Sequence, residues 1–229
     1  MALVKKYASV VTQFVNKGEN LYFAELKTSS GHYKYSPGQF LHLALDEYDP
    51  SSGWPESRCF SMQSAPSEEF IRITFAAKGA FTNRMKNELH PGKNVTLKLP
   101  YGNLFDQPHH KDKTVFIAGG TGVTPFLSLF DDKSFATYTN PLLYLGFRSR
   151  IMNIYDHELE AAKKINPSFT ANLFYEDETG ILNIDNILKE NSAGQSFFIS
   201  GPPLMIKFFK KFLMEHGVDE SNVLNDEWE

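Results

Sequence analysis

The chain has 229 residues, 41% hydrophobic and 22% charged, which is the balance of a globular protein of one large or two small domains. A net charge of −4 gives no reason to expect nucleic acid as a partner, and no stretch approaches the ~20 apolar residues of a membrane span. The single cysteine, Cys59, excludes an internal disulfide and an iron–sulfur cluster held by this chain, and fits a reducing, cytoplasmic setting.

Lys5 and Lys6 lead into an alternating strand pattern rather than an apolar segment, so no secretory leader is expected. Residues 1–100 read as β structure. Short β-rich runs at Tyr7–Val15, Leu21–Leu26, Phe40–Leu45, Phe70–Ala77 and Val95–Leu99 are separated by turns such as Asn16-Lys17-Gly18 and Ser36-Pro37-Gly38. Val95, Leu97 and Leu99 alternate with Thr96 and Lys98, the mark of a half-buried strand. Strands at this spacing point to a sandwich or barrel. One helix interrupts them, from about Thr82 to Leu89, and Pro91-Gly92 ends it.

The polar stretch Phe105–Lys113 is the expected linker, dividing a domain at 1–110 from one at 111–229. Apolar strand runs then recur at Val115–Ala118, Leu142–Leu145, Ala171–Tyr175 and Phe197–Ser200. Helical segments fall near Pro125–Phe130, Ile154–Lys164, Ile184–Glu190 and Leu204–Glu215. This alternation predicts a parallel sheet with helices on both faces. In the last helix Met205, Phe208, Phe209, Phe212 and Leu213 form one apolar stripe, read as core. His109-His110 has no matching Cys/His cluster, so no metal site is expected.

Three stretches carry chemistry. In Val115–Pro125 an apolar strand runs into Gly119-Gly120-Thr121-Gly122, with Thr124 as a candidate cap and Pro125 as a first helical residue. Glycines let a phosphate approach the backbone, and a helix start offers it free N–H groups. Upstream, Arg58-Cys59-Phe60-Ser61 places a guanidinium and an aromatic ring on one strand face. The first forks onto phosphate oxygens and the second stacks on a planar ring. Gly79-Ala80-Phe81-Thr82 opens the one helix of the β half, with Thr82 as its expected N-cap.

Together with Ser200-Gly201-Pro202-Pro203 and Pro37-Gly38-Gln39-Phe40, these motifs resemble the ferredoxin–NADP reductase family in order and spacing, from about residue 7 onward. The resemblance implies an antiparallel FAD-binding β-barrel followed by a Rossmann-like NAD(P)-binding domain. It implies that Arg58 and the N–H groups around Ala80–Thr82 hold the FAD pyrophosphate, Phe60 stacks on the flavin, and Ser61 lies near its N5. Gly120, Thr121, Gly122, Thr124 and Pro125 would cradle NADH or NADPH, with Gly201 and Pro202 at the nicotinamide. Ser61 and Ser200 are the implied catalytic pair, and Trp228 would cover the second flavin face. Two departures stand out: Phe60 where relatives usually have Tyr, and Ser200 where they often have Cys.

The implied activity is hydride transfer from NAD(P)H to FAD. Electrons then pass to a separate acceptor, such as a ferredoxin or an oxygenase component, or to a small molecule such as flavin, quinone or ferric chelate. A non-catalytic flavin- or nucleotide-sensing subunit is the alternative. Arg148 and Arg150 after the second strand of the latter half suit a 2′-phosphate, whereas Glu176-Asp177-Glu178 after the third suits a ribose diol. The acidic run favours NADH.

Overall fold

The computed structural model describes residues 3–29 and 31–226. The first half is built from β1 (Lys5–Gly18), β2 (Leu21–Thr28), β3 (Phe40–Ala44), β4 (Ser57–Ser61), β5 (Phe70–Ala76), α1 (Ala80–Glu88) and β6 (Asn94–Tyr101). Its strands form one antiparallel sheet in the order β4-β3-β6-β1-β2-β5. The sheet curls until its ends nearly meet: just past β4, the Gln63 N–H donates to Arg72 O of β5 at 2.8 Å. The alternation read in β6 is realised, since Val95, Leu97 and Leu99 point into the barrel core beside Leu41, Leu43, Ile71 and Ile73.

The first hairpin turns later than Asn16-Lys17-Gly18 suggests. β1 runs through Gly18, and Glu19 (φ 47°) and Asn20 (φ 60°) make the reversal. Two left-handed central residues match the twist of the flanking strands. The helix also begins earlier than expected. Gly79 is its N-cap, and Thr82 sits three positions in, where its hydroxyl accepts from the Lys78 and Gly79 N–H groups at 3.0 Å each. Thr82 therefore caps from inside the helix, not from its boundary.

The second half contains β7 (Thr114–Gly119), α2 (Thr124–Phe130), β8 (Leu142–Phe147), α3 (Asp156–Ile165), β9 (Thr170–Tyr175), α4 (Glu176–Thr179), α5 (Ile184–Glu190), β10 (Ser196–Ser200), α6 (Pro203–Glu215) and β11 (Val223–Leu224). The sheet is wholly parallel, in the order β11-β10-β7-β8-β9. Phe116 and Ala118 bury one face beneath α2 and α3, and Val115 and Ile117 bury the other beneath α5 and α6. Leu104, just before the expected linker, and Phe105, its first residue, pack into the first of these cores. α4 and β11 have no counterpart in the sequence pattern, because each is too short to show a period. In α6, Phe209 and Leu213 are buried as read, but Phe208 is 59% exposed. Met205 and Phe212 pack against the core as read, and Ile206 joins that face.

Candidate functional site

The chain lays out β7, β8 and β9 to one side, then crosses back to place β10 on the other side of β7. Between β7 and β10 the strand order reverses, which opens a crevice beyond their C-terminal ends. Both glycine motifs sit there. Gly120–Val123 forms a tight 3₁₀ turn straight off β7, and Gly120 adopts φ 54°. A Cβ on Gly120 would meet open space, whereas one on Gly122 would lie 2.5 Å from Gly201 Cα. The turn thus has a bare outer surface and a back pressed against Ser200-Gly201.

Thr124, expected as a cap, lies instead inside α2, with Val123 as the cap, and its hydroxyl donates to Thr121 O at 2.9 Å. The hydroxyl locks the glycine turn onto the helix.

This crevice continues into the barrel as one cavity of about 1200 Å³. Its barrel wall carries Cys59, Phe60 and Ser61 of β4, Thr74–Ala76 of β5, Lys78 and Thr82. Its opposite wall carries Gly119–Gly122, Thr124, Pro125, Arg148, Ser200, Gly201 and Pro202. The volume exceeds the ~300–1,000 Å³ usual for one small ligand. Phe60 meets Phe75 edge-on at 5.9 Å, which fixes its ring at the wall. The Ser61 and Ser200 hydroxyls make no hydrogen bond within the described residues, and both face the cavity from opposite halves.

Arg58 is outside the cavity lining. Its guanidinium pairs with Glu56 at 3.1 Å, donates to Ser57 O, and lies 5.2 Å over the Phe81 ring. That contact sets it beside the start of α1, where the N–H groups of Ala80, Phe81 and Thr82 precede the first helical bond, Asn83 N to Gly79 O. Gly79 and Ala80 are exposed there, but the Phe81 side chain is buried in the barrel core, so only its backbone faces outward. Cys59 touches His42 across the β3–β4 pair, and burial pushes its thiol pKa up, with Arg58 opposing. A protonated thiol is a poor nucleophile.

Arg150 is already engaged. Its guanidinium forks onto Glu178 at 3.0 and 2.7 Å and stacks 4.2 Å over Tyr175. Arg148 and Glu176 face the cavity, and Arg148 has no ion-pair partner among the described residues. Trp228 lies outside the described residues.

Sequence reasoning missed Glu19–Leu21, Thr74–Ala77, Lys78 and Tyr155, all on the cavity wall. None belongs to a motif. The barrel residues reach the site because β5 and the β1–β2 turn edge the barrel where the second half abuts it, and Tyr155 reaches it from just before α3.

Among described residues no helix is long and apolar enough to cross a membrane. Residues 116–211 match the oxidoreductase NAD-binding domain family. The chain is 28% identical over 202 residues to one of the polypeptides of the Na(+)-translocating NADH-quinone reductase of Klebsiella pneumoniae subsp. pneumoniae, covering 76% of this chain and 49% of that one. It therefore spans about half the length of that curated relative. The fold superposes on the flavohem-like FAD/NAD-binding domain of nitric oxide dioxygenase from Vibrio cholerae O1 biovar El Tor with TM-score 0.81, at 19% identity, covering 97% of this chain and 98% of that one. It superposes on a ferredoxin NADP+ reductase from Neisseria gonorrhoeae with TM-score 0.79, at 18% identity, covering 99% of each chain. A nearly closed barrel followed by a parallel sheet with a switch point is the ferredoxin–NADP reductase-like fold; the chain adopts that fold, and its residues 116–211 match the oxidoreductase NAD-binding domain family.

Proposed function

We propose that the chain is a flavin-dependent reductase that takes hydride from NAD(P)H onto FAD and passes electrons to a separate acceptor. One observation carries this reading: the Phe60-Ser61 wall and both glycine turns face a single cavity of about 1200 Å³, room for two cofactors in contact. In this reading residues 1–110 hold the flavin and residues 111–229 the nicotinamide dinucleotide. The similar Neisseria gonorrhoeae structure carries FAD and NADP. The residues present fit these groups, since the glycine turn leaves its outer surface bare and two unpartnered hydroxyls flank the gap.

The flavin supplies two-electron acceptance and release when bound. The protein's own residues supply orientation. Phe60 offers a flat face, and Arg58 with the α1 start offers charge and N–H groups to a pyrophosphate. Ser61 and Ser200, reaching in from opposite walls, orient the two reacting rings, and Gly120–Gly122 and Gly201-Pro202 let the dinucleotide lie against backbone. With Cys59 as their one cysteine, these 229 residues hold no four-cysteine cluster to receive the electrons, so the acceptor in this reading lies outside them.

The preferred donor in this reading is NADH. Glu178 neutralises Arg150 and Glu176 turns a carboxylate to the cavity, which suits a ribose diol and repels a 2′-phosphate. The test is direct: the purified protein is yellow, and its flavin bleaches on anaerobic addition of NADH. A protein that retains no FAD, or whose flavin neither NADH nor NADPH reduces, refutes the reductase reading. A clearly higher kcat/KM with NADPH refutes the NADH preference alone.

A further inference from the structure

Two side-chain polar atoms among the described residues are buried without a hydrogen-bond partner, and one is the Tyr155 hydroxyl. Tyr155 is 1% exposed. It immediately precedes α3, with its ring stacked 6.3 Å from that of Phe147 at the end of β8. A hydroxyl in this position has given up water without gaining a well-formed hydrogen bond, an arrangement native interiors seldom keep without a reason.

The reason lies across the seam between the two halves. Burial pushes the Tyr155 hydroxyl far above its ordinary pKa, and the nearby Thr74 hydroxyl on β5 opposes that push. The Tyr155 hydroxyl therefore stays neutral and remains a donor. Thr74 gives its own proton to Gln63 Oε1 at 2.7 Å, which leaves oxygen lone pairs open to an incoming donor. Gln63 Nε2 in turn faces a Glu158 carboxylate oxygen at 3.5 Å. Glu158 stands in the first turn of α3, three residues past Tyr155, and so on the same side of it.

These four side chains describe a ring whose donors all run one way: Tyr155 to Thr74, Thr74 to Gln63, Gln63 to Glu158. The link inside the barrel is tight. Both links that cross the seam are slack, one at the limit of a hydrogen bond and one unmade. A closer approach of the two walls at the seam completes the ring. Tyr155 and Thr74 also line the large cavity, so a ligand touching both walls acts directly on that seam.

We infer that Tyr155, Thr74, Gln63 and Glu158 form a positioning latch that closes when a nicotinamide dinucleotide bridges the two walls, fixing the second half against the flavin-binding strand. Making the ring gives the closed form the differential stability that a ligand-driven change requires. The inference rests on the reductase reading above.

Tyr155→Phe in the flavin-loaded protein tests it. Without nucleotide, its melting temperature stays equal to wild type or rises, because an unsatisfied hydroxyl is gone. The rise in melting temperature on saturating NAD+ shrinks, and the limiting rate of flavin reduction in stopped flow falls about fivefold, the worth of one hydrogen bond. Thr74→Val slows reduction in the same way, Thr74→Ser keeps the rate, and Tyr155→Phe/Thr74→Val is no slower than the slower single variant. The latch is overturned if Tyr155→Phe leaves the NAD+ response and reduction rate intact, whatever its nucleotide-free melting temperature, or if the two substitutions add. If the wild-type flavin is not reduced by NADH or NADPH, the reductase reading itself has failed.

Discussion

Gly122→Ala places the sharpest demand on the switch point. The new Cβ would sit 2.5 Å from Gly201 Cα and 2.6 Å from both Gly201 N and Ser200 O. All three are backbone atoms, so no side-chain rotation relieves them. Restoring ordinary contact at about 3.5 Å requires the two turns to part by about 1 Å. Overpacking of this kind costs about 1–3 kcal/mol, which in a chain of this size lowers the melting temperature by about 2–4 °C per kcal/mol. The effect on chemistry is larger, because misplacing a reacting group by about 1 Å costs about 100-fold in rate. Stopped-flow reduction by NADH should therefore slow by about two orders of magnitude while the flavin spectrum persists, since no barrel residue moves. Gly194→Ala is the matched control: its Cβ meets nothing within 4 Å and its φ is ordinary, so it should behave as wild type. A Gly122→Ala protein that melts and reacts like wild type would refute both the packing argument and the placement of the nucleotide at this crevice.

Three further outcomes follow from other parts of the molecule. Arg58→Ala removes a charge-assisted contact worth about 1.5–3 kcal/mol and should weaken FAD binding at least tenfold in a fluorescence titration, with little change in melting temperature because its Glu56 pair is exposed. Ser61→Ala should slow flavin reduction about fivefold without altering FAD affinity; an unchanged rate removes Ser61 from the reacting contact. Asp226 has one carboxyl oxygen buried without a partner, and burial lifts its pKa from 3.8 to about 6 against the pull of the Asn103 backbone. A pKa raised on folding adds stability at low pH that is lost as pH climbs from about 4 through about 6. Asp226→Asn should thus be more stable than wild type above that window, by up to about 3 kcal/mol in denaturant titrations, and the gain should fade towards pH 4; a gain that is constant with pH contradicts it.

What could be read from the sequence was what is local. The alternation in Val95–Leu99 and the apolar run Val115–Ala118 each carry their own period, and both became the strands expected. Thr82 was misjudged because a threonine near a helix start looks alike at the boundary or three residues in; only the Gly79 dihedrals decide. Phe208 was misjudged because the stripe on α6 is wider than the face the sheet accepts, and the structure turns Phe208 to the cavity mouth. Tyr155 gave no signal at all. Before an amphipathic helix it reads as a core aromatic, and its hydroxyl acquires meaning only from Thr74, which lies on a different sheet.

The glycines show most plainly where local reading stops. Each of the two motifs explains itself as a turn after a strand, and φ 54° at Gly120 and φ 149° at Gly201 bear out that much. Yet Gly122 needs no unusual φ. It is glycine because Gly201 leaves no room for anything else, and a Cβ on Gly201 would in turn approach Gly119 N to 3.0 Å. A Cβ on Gly119 would press on Pro202 Cδ at the same distance. The two motifs are thus halves of one close-packed contact. Parallel pairing of β7 with β10 brings them together, with Ala118 opposite Ser200 as its last rung. The requirement for glycine is set by strand order, a property of the whole sheet, and it falls where a bound dinucleotide would need bare backbone on both sides.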